Sequence, residues 1–268
     1  MLYLYILLAL IALLIIYMRF EASALEVNHV RFTKSKKSLR ILHLSDIHIN
    51  RLKVSWKKIR NAIEQEKPDL VIMTGDYIES SKHIPEFLEF LSYIKSNNKF
   101  YLCMGNHDHK ALNYNNAALM DFISAIESTG VHVVNNNAVH FTKNNSLYSI
   151  IGIDDLKAGK PDISKALGAA HPNSKIKIVF SHNPDIVLDL SKEKVDYLFC
   201  GHFHGGQIWV PFNLEFNLLR ADKLCKMGIR KGMHKVNGII IYINKGLGNV
   251  CVPLRFLSRP EISIYYLP

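Results

Sequence analysis

Eight residues able to bind a metal ion or move a proton follow closely on five apolar runs of the chain. The run from Leu39 to Leu44 leads to Asp46 and His48, Leu70 to Met73 to Asp76, and Phe100 to Met104 to Asn106 and His107. Later, Lys175 to Phe180 leads to His182, and Val195 to Cys200 leads to His202 and His204. Each residue alone has an ordinary explanation, since Asp caps helices and a lone His is most often structural. Together, His107 aside, they offer three carboxylate or amide oxygens and four imidazoles. That donor set suits two borderline divalent ions of the manganese, iron or zinc kind better than calcium or magnesium. On extended backbone, Asp46-x-His48 and His202-x-His204 each point two side chains the same way, so each pair can grip one ion. Asp76, isolated at a middle strand end, is the residue expected to bridge. Two ions about 3.5–4 Å apart polarise a shared water and hold phosphoryl oxygens for in-line attack, so the chemistry indicated is hydrolysis.

Such a set needs a scaffold that ends its strands at one edge, and the chain alternates accordingly. Trp56, Ile59 and Ile63 fall at helical spacing, and Pro68-Asp69 stops that helix before the second strand. Ile84, Phe87, Leu88, Leu91 and Ile94 form a second amphipathic face, and Leu119, Phe122, Ile123 and Ile126 a third. Strands are then expected at 131–134, 138–142 and 147–153, giving a hairpin-rich second half, and again at 238–243 and 262–267. Ligands at successive strand ends are where α/β enzymes place their chemistry.

With 268 residues, 49% of them hydrophobic, and no internal repeat, one large domain with a substantial core is expected. The net charge of +10 is concentrated in two patches. Residues 1–40 hold six Lys/Arg against two Glu, and residues 220–235 hold six against Asp222 alone. Four cysteines without C-x-x-C spacing read as reduced thiols, in keeping with a cytosolic setting.

Residues 1–18 contain no charge, Gly or Pro, and Arg19 closes them. At 1.5 Å per residue they cover about 27 Å, enough to cross a thin hydrocarbon core. Tyr residues near both ends suit the interfacial belts of an anchor. The rival is a secretory leader with Ala22-Ser23-Ala24 as its cleavage site, but no basic region precedes the apolar run. Arg19, Arg31, Lys34, Lys36, Lys37 and Arg40 follow the span, which puts the C-terminal domain in the cytoplasm by the positive-inside rule. The organisation expected is a transmembrane anchor at 1–18, a basic linker at 19–38 and a catalytic domain at 39–268.

In order and spacing, Asp46-x-His48, Gly75-Asp76, Gly105-Asn106-His107-Asp108, His182 and Gly201-His202-x-His204 resemble the five motifs of the calcineurin-like metallophosphoesterases. His202-Phe203-His204-Gly205-Gly206-Gln207, Lys245-Gly246-Leu247-Gly248 and Pro253-Leu254-Arg255-Phe256 resemble the membrane-associated YkuE/YaeI-type branch, to which the diphosphatase acting on UDP-2,3-diacylglucosamine in lipid A synthesis is similar. The resemblance implies a four-layer αββα sandwich. It implies a first ion on Asp46, His48, Asp76 and His204, and a second on Asp76, Asn106, His182 and His202. It further implies that His107 stabilises the transition state or protonates the leaving oxygen, with Asp108 orienting it; an imidazole beside two cations needs such a partner to stay protonated.

Of the other histidines, His43 lies in the first strand and reads as a core residue or a neighbour of the ligands, His83, His132, His140 and His171 have no partner at ligand spacing, and His109 stands next to the catalytic loop. Ile208, Trp209, Val210, Phe212, Leu214, Phe216, Leu218 and Leu219 followed by Arg220 to Lys235 read as a lipophilic cap with a basic rim, against the plainer alternative of core packing with a solvated basic face. The function indicated is hydrolysis of a lipid-linked phosphodiester or diphosphate, with UDP-2,3-diacylglucosamine as the substrate suggested by resemblance. A general phosphodiesterase or nuclease and a non-catalytic metal-binding scaffold are the alternatives. Nucleic acid is disfavoured because the catalytic segment is nearly neutral, whereas a backbone groove needs cations.

Overall fold

The computed structural model describes the chain except for residues 36, 96, 192, 193, 212, 213, 215 and 217–219. Helix α1 (Leu2–Glu21) is long and apolar enough to cross a membrane. Strands β1 (Glu26–Arg31), β2 (Leu39–Ser45), β3 (Leu70–Thr74), β4 (Lys99–Cys103), β5 (His132–Val133) and β12 (Glu261–Leu267) form one six-stranded sheet in the order β1-β12-β2-β3-β4-β5. Strands β6 (Asn137–Lys143), β7 (Ser146–Gly152), β8 (Ile176–Phe180), β9 (Tyr197–Cys200), β10 (Gly232–Val236) and β11 (Ile239–Ile243) form the second, ordered β10-β11-β9-β8-β7-β6. In each sheet the central strands run parallel, with β2, β3 and β4 adjacent in one and β7, β8, β9 and β11 adjacent in the other.

The period of two along each strand divides the core. Ile41, Ile72, Tyr101, Ile150, Ile178, Phe199 and Tyr265 fill one cluster shared by both sheets. The alternate residues Leu42, Leu44, Val71 and Met73 face helices α2 (Trp56–Glu66), α3 (Ile84–Ile94) and, beyond the short α4 (Asn106–Ala111), α5 (Asn116–Ser128). Ile151, Val179, Leu198 and Ile241 pack with Ile163, Ala166 and Leu167 of α6 (Ile163–Gly168). Both faces of the central strands are therefore covered, which is why these runs are almost continuously apolar. The result is the expected αββα sandwich.

Local chemistry sets the helix limits. The Ser55 side chain caps α2 by accepting from Lys58 N–H, and Lys67, at φ 45°, ends it before Pro68. Asn115 caps α5 in the same way, accepting from Ala117 and Ala118.

Two strands were not anticipated. The segment 19–38, expected as a linker, contains β1, which pairs in parallel with β12 from Glu26↔Glu261 to Arg31↔Tyr266. Its residues are exposed or half-buried, so it lacks the apolar run that marks a central strand. β10 lies in the second basic patch and is likewise an edge strand with exposed Met233 and Lys235. His43 is buried between the sheets, bonded to Tyr265 Oη at 2.8 Å and Thr74 Oγ1 at 2.7 Å. Burial pushes it down to about 3, so it is a neutral core residue. Cys103, Cys200 and Cys225 are buried and Cys251 exposed, all as free thiols.

Candidate active site

All eight chemistry-bearing residues come together at the C-terminal ends of β2, β3, β4, β8 and β9. Backbone contacts tie these ends to one another. Asp46 N–H donates to Gly75 O at 3.1 Å, His48 N–H to Asp76 O at 2.9 Å, and Gly201 N–H to His182 O at 3.2 Å. Glycine is required where the loops cross, because a Cβ on Gly105 would lie 2.4 Å from Asp76 N.

The pairs converge by a different route from the one the spacing suggests. Asp46, His48, Asp76, His202 and His204 have φ of 50°, 39°, 57°, 74° and 52°, so they occupy the left-handed region rather than extended backbone. Non-glycine residues enter it only when surrounding contacts hold them there, and such positions cluster at functional sites.

Two groups of ligand atoms result. In the first, His48 Nε2 lies 3.3 Å from His204 Nε2, which lies 3.1 Å from Asp46 Oδ1. In the second, His202 Nδ1 lies 3.1 Å from His182 Nε2, which lies 3.0 Å from Asp76 Oδ2. Asp76 Oδ2 is also 3.8 Å from His48 Nε2, placing this oxygen between the groups. Nitrogens each about 2.1 Å from one ion stand about 3.0–3.4 Å apart at octahedral to tetrahedral angles, so these separations fit two ions. Asn106 Oδ1 is buried with no protein partner, as expected of an oxygen meant for a cation.

The electrostatics agree with that use at Asp76, Asp46, His204 and His202, but not at His182. Burial would raise the Asp76 carboxyl, but His182 and its hydrogen bond hold it well below the usual range. Burial likewise opposes ionisation of Asp46, and His204 overcomes it. Burial lowers His204 to about 4 and lowers His202, leaving neutral imidazoles, the form that binds metal. His182 is the exception: burial would lower it too, but the charge and hydrogen bond of Asp76 raise it to about 10, so this imidazole must give up its proton to an incoming ion.

His107, half-buried in the same pocket, donates its backbone N–H to Asp76 Oδ1 at 2.8 Å. Its Nδ1 is bonded to Glu79 Oε2 at 3.1 Å. Burial lowers its pKa, but the Glu79 hydrogen bond and the charge of Asp76 raise it by more, so the net shift is upward.

Asp108 does not stand behind His107. Its carboxylate accepts the backbone N–H groups of Asp76 and Gly105, both at 2.9 Å, of Tyr77 at 2.8 Å and of Ile78 at 3.2 Å. It is the third residue of α4, and on a helix the next side chain points about 100° away from that of His107. The carboxylate bonded to the His107 ring is therefore Glu79, and not Asp108, on which the resemblance placed the orienting role. A carboxylate three residues beyond Asp76 in the same loop was the available signal.

Two further residues were missed. Asp222 Oδ1 lies 3.5 Å from His202 Nε2 and is paired with Lys157. Arg220 Nη1 lies 3.5 Å from His202 Nε2 and lines the pocket. His109 is outside the ligand groups; its Nε2 is bonded to Asp154 Oδ1 at 2.8 Å.

A cavity of about 650 Å³ begins at Asp76, Asn106, His107, His202 and His204 and continues along Ile208, Val210, Phe216, Val250 and Val252. Part of the expected lipophilic cap thus lines the pocket, whereas Phe212, Leu218 and Leu219 lie outside the described residues.

Comparison with known proteins agrees with this geometry. A family model described as calcineurin-like phosphoesterase matches residues 39–206. An uncharacterized metallophosphoesterase of Bacillus subtilis, YkoQ, is 31% identical over 236 residues, 87% of this chain and 85% of its own. The phosphodiesterase YaeI of Escherichia coli is 30% identical over 241 residues, 88% and 84% of the two chains. The UDP-2,3-diacylglucosamine pyrophosphatase LpxG of Chlamydia trachomatis is 26% identical over 296 residues, 91% and 89% of the two chains. Among solved structures, the sulfate thiohydrolase SoxB of Thermus thermophilus shares the fold with a TM-score of 0.55 at 10% identity. That match covers 88% of this chain, which spans 57% of SoxB.

Proposed function

The chain belongs to the calcineurin-like phosphoesterase family, hydrolases of phosphoester bonds, and on that premise we propose a dinuclear phosphohydrolase anchored in the cytoplasmic membrane that cleaves a lipid-linked phosphodiester or diphosphate. UDP-2,3-diacylglucosamine is the substrate to test first. The observation that carries this reading is the pocket, in which one continuous wall passes from the metal-binding edge to Ile208, Val210, Phe216, Val250 and Val252. A soluble phosphoester has no use for that apolar wall, whereas acyl chains do. Similarity to LpxG supports the same substrate class.

In this reading Asp46, His48 and His204 would hold one ion and Asn106, His182 and His202 the other, with Asp76 placed between the two groups to serve both. Bound there, two divalent ions polarise a water and neutralise charge on the phosphoryl oxygens. With Nδ1 engaged by Glu79, His107 has Nε2 free for the leaving oxygen, and its raised pKa keeps a proton available there. Arg220 stands beside His202, where a second phosphate of a diphosphate would gain a cationic partner. The length and apolar character of helix α1 support an anchor, and the basic segment after it supports a cytoplasmic domain by the positive-inside rule.

The test is an assay of the purified full chain, with manganese, iron or zinc, against UDP-2,3-diacylglucosamine, a chromogenic phosphodiester and single-stranded DNA. The expected result is a clear preference for the acylated substrate, abolished by His107→Ala. Absence of hydrolysis with every ion removes the enzyme, and equal rates on acylated and soluble substrates remove the lipid.

A further inference from the structure

The last turn of α1 belongs to the folded domain and not to a tether. Residues 1–17 are exposed, whereas Met18 is 8%, Glu21 3% and Ala22 0% exposed. Met18 O accepts the Arg255 N–H at 3.1 Å, and Glu21 Oε2 accepts the Leu257 N–H at 2.7 Å. Tyr17 packs edge-on against Phe256, with ring centroids 6.1 Å apart. The residues that would form a leader cleavage site are inside this unit: Ala24 N–H still donates to Glu21 O at 3.1 Å.

The loop that receives the helix is joined to the site. Phe256 N–H donates to Gln207 O and Phe256 O accepts from Trp209 N–H, both at 2.9 Å. The Gln207 side chain donates to Val250 O at 3.0 Å and Val252 O at 2.9 Å, fixing the two valines of the apolar pocket wall. Arg255, fully buried, donates to the carbonyls of Lys245, Gly246, Gly248 and Ser258. Gly248 N–H in turn donates to Asp46 O at 2.7 Å, and Ser258 Oγ to His204 O at 3.0 Å. One hydrogen-bonded unit therefore runs from the membrane helix to the backbone of two residues of the candidate metal site.

That unit carries apolar side chains that the fold leaves uncovered. Phe20, Leu257, Val252 and Trp209 are 62%, 53%, 44% and 39% exposed, on segments bonded directly to the helix end or to one another. Exposed Arg19 lies among them, the arrangement found where protein meets lipid headgroups.

We propose that the end of α1, the loop 250–259 and the segment 207–209 form one rigid platform lying in the headgroup boundary of the bilayer, with the pocket mouth at lipid level so that an amphiphilic substrate enters sideways from the membrane. The proposal rests on α1 being an anchor, as in the function proposed above. A second copy of this chain is the competing occupant, but the platform continues directly from a helix whose own apolar surface is suited to lipid.

The experiment uses the full chain in phosphatidylcholine and phosphatidylglycerol vesicles whose acyl chains are brominated near the glycerol end. Trp56→Phe leaves Trp209 as the sole tryptophan, and Trp209→Phe leaves Trp56, packed on Phe90 and Tyr93. A residue seated about 5–10 Å into the boundary is within quencher reach, so Trp209 fluorescence should fall about twofold or more while Trp56 changes little. Leu257→Trp, in a background lacking both native tryptophans, should respond like Trp209. Equal quenching of Trp209 and Trp56, or no quenching because a second copy covers Trp209, overturns the platform. Hydrolysis of a soluble phosphodiester in the same vesicles keeps the two ideas apart. Hydrolysis without quenching removes only the platform, and quenching without hydrolysis removes only the enzyme.

Discussion

Glu79 Oε2 lies 3.1 Å from His107 Nδ1, while the other oxygen of the same carboxylate lies 2.6 Å from His48 Nδ1. One side chain therefore faces both the proposed proton donor and a proposed metal ligand, and Arg51, 3.3 Å away, adds a cation on its outer side. Burial raises the Glu79 carboxyl, but the two imidazoles more than reverse this and keep it ionised.

This double contact separates Glu79 from His107 by experiment. Glu79→Gln should lower both kcat and bound metal, the latter by about 10–100-fold in affinity, as for other partners of metal-binding histidines. His107→Ala should lower kcat by about 10²–10⁴-fold and leave bound metal unchanged. Steady-state rates together with elemental analysis of the purified variants check both.

Asp108 is expected to matter for folding more than for proton transfer. Asp108→Asn replaces one acceptor oxygen by a donor facing N–H groups that are already donors. Each hydrogen bond to a buried charge contributes about 1.5–3 kcal/mol, so a loss of about 3 kcal/mol is expected. In a chain of this size that lowers Tm by about 6 °C or more, measurable by thermal unfolding in detergent. An unchanged Tm with a large loss of kcat would instead restore Asp108 to the orienting role.

Asp222 should hold His202 in the tautomer with its proton on Nε2, leaving Nδ1 to face His182 and the second ion. Asp222→Asn is expected to weaken retention of that ion by about 10–100-fold. Metal content after dialysis against a graded chelator series should fall from two ions per chain to one before the wild type loses either.

His109 gives a pH-dependent contribution to stability. Burial lowers its pKa, but the Asp154 hydrogen bond and charge raise it more, so the folded value lies above the ordinary 6.5. The stabilisation is fully present below pH 6.5 and is lost as pH rises through the raised folded value. The Tm gap between wild type and His109→Gln should be widest near pH 6, at about 2–4 °C for roughly 1 kcal/mol, and should narrow above neutrality. A gap that widens with pH would contradict the pairing.

The candidate ligand set was legible in the sequence because each member follows an apolar run and its residue type is chemically informative. Asp46, His48, Asp76, Asn106, His107, His182, His202 and His204 could be found without knowing their angles; the alternation of those runs with helical faces indicated an α/β fold, and the sandwich came from the family resemblance. Spacing could not reveal the left-handed φ at five of them, since that conformation is imposed by loops from other strands. Nor could it choose between Asp108 and Glu79. Both are carboxylates near His107, and only the start of α4 turns one toward backbone N–H groups and leaves the imidazole to the other. β1 and β10 escaped notice because edge strands are half-exposed and need no continuous apolar run.

The sequence by itself determined which residues can bind two ions and which strands deliver them, because type and local period are properties of the chain. Tertiary structure alone decided what surrounds Glu79 and Asp222. In sequence they are ordinary surface charges, and they acquire partners only when segments between 20 and 65 residues away are packed beside them. The physical reason is that a charged side chain is defined by what desolvates and pairs it, and for these two that environment is assembled from distant parts of the chain.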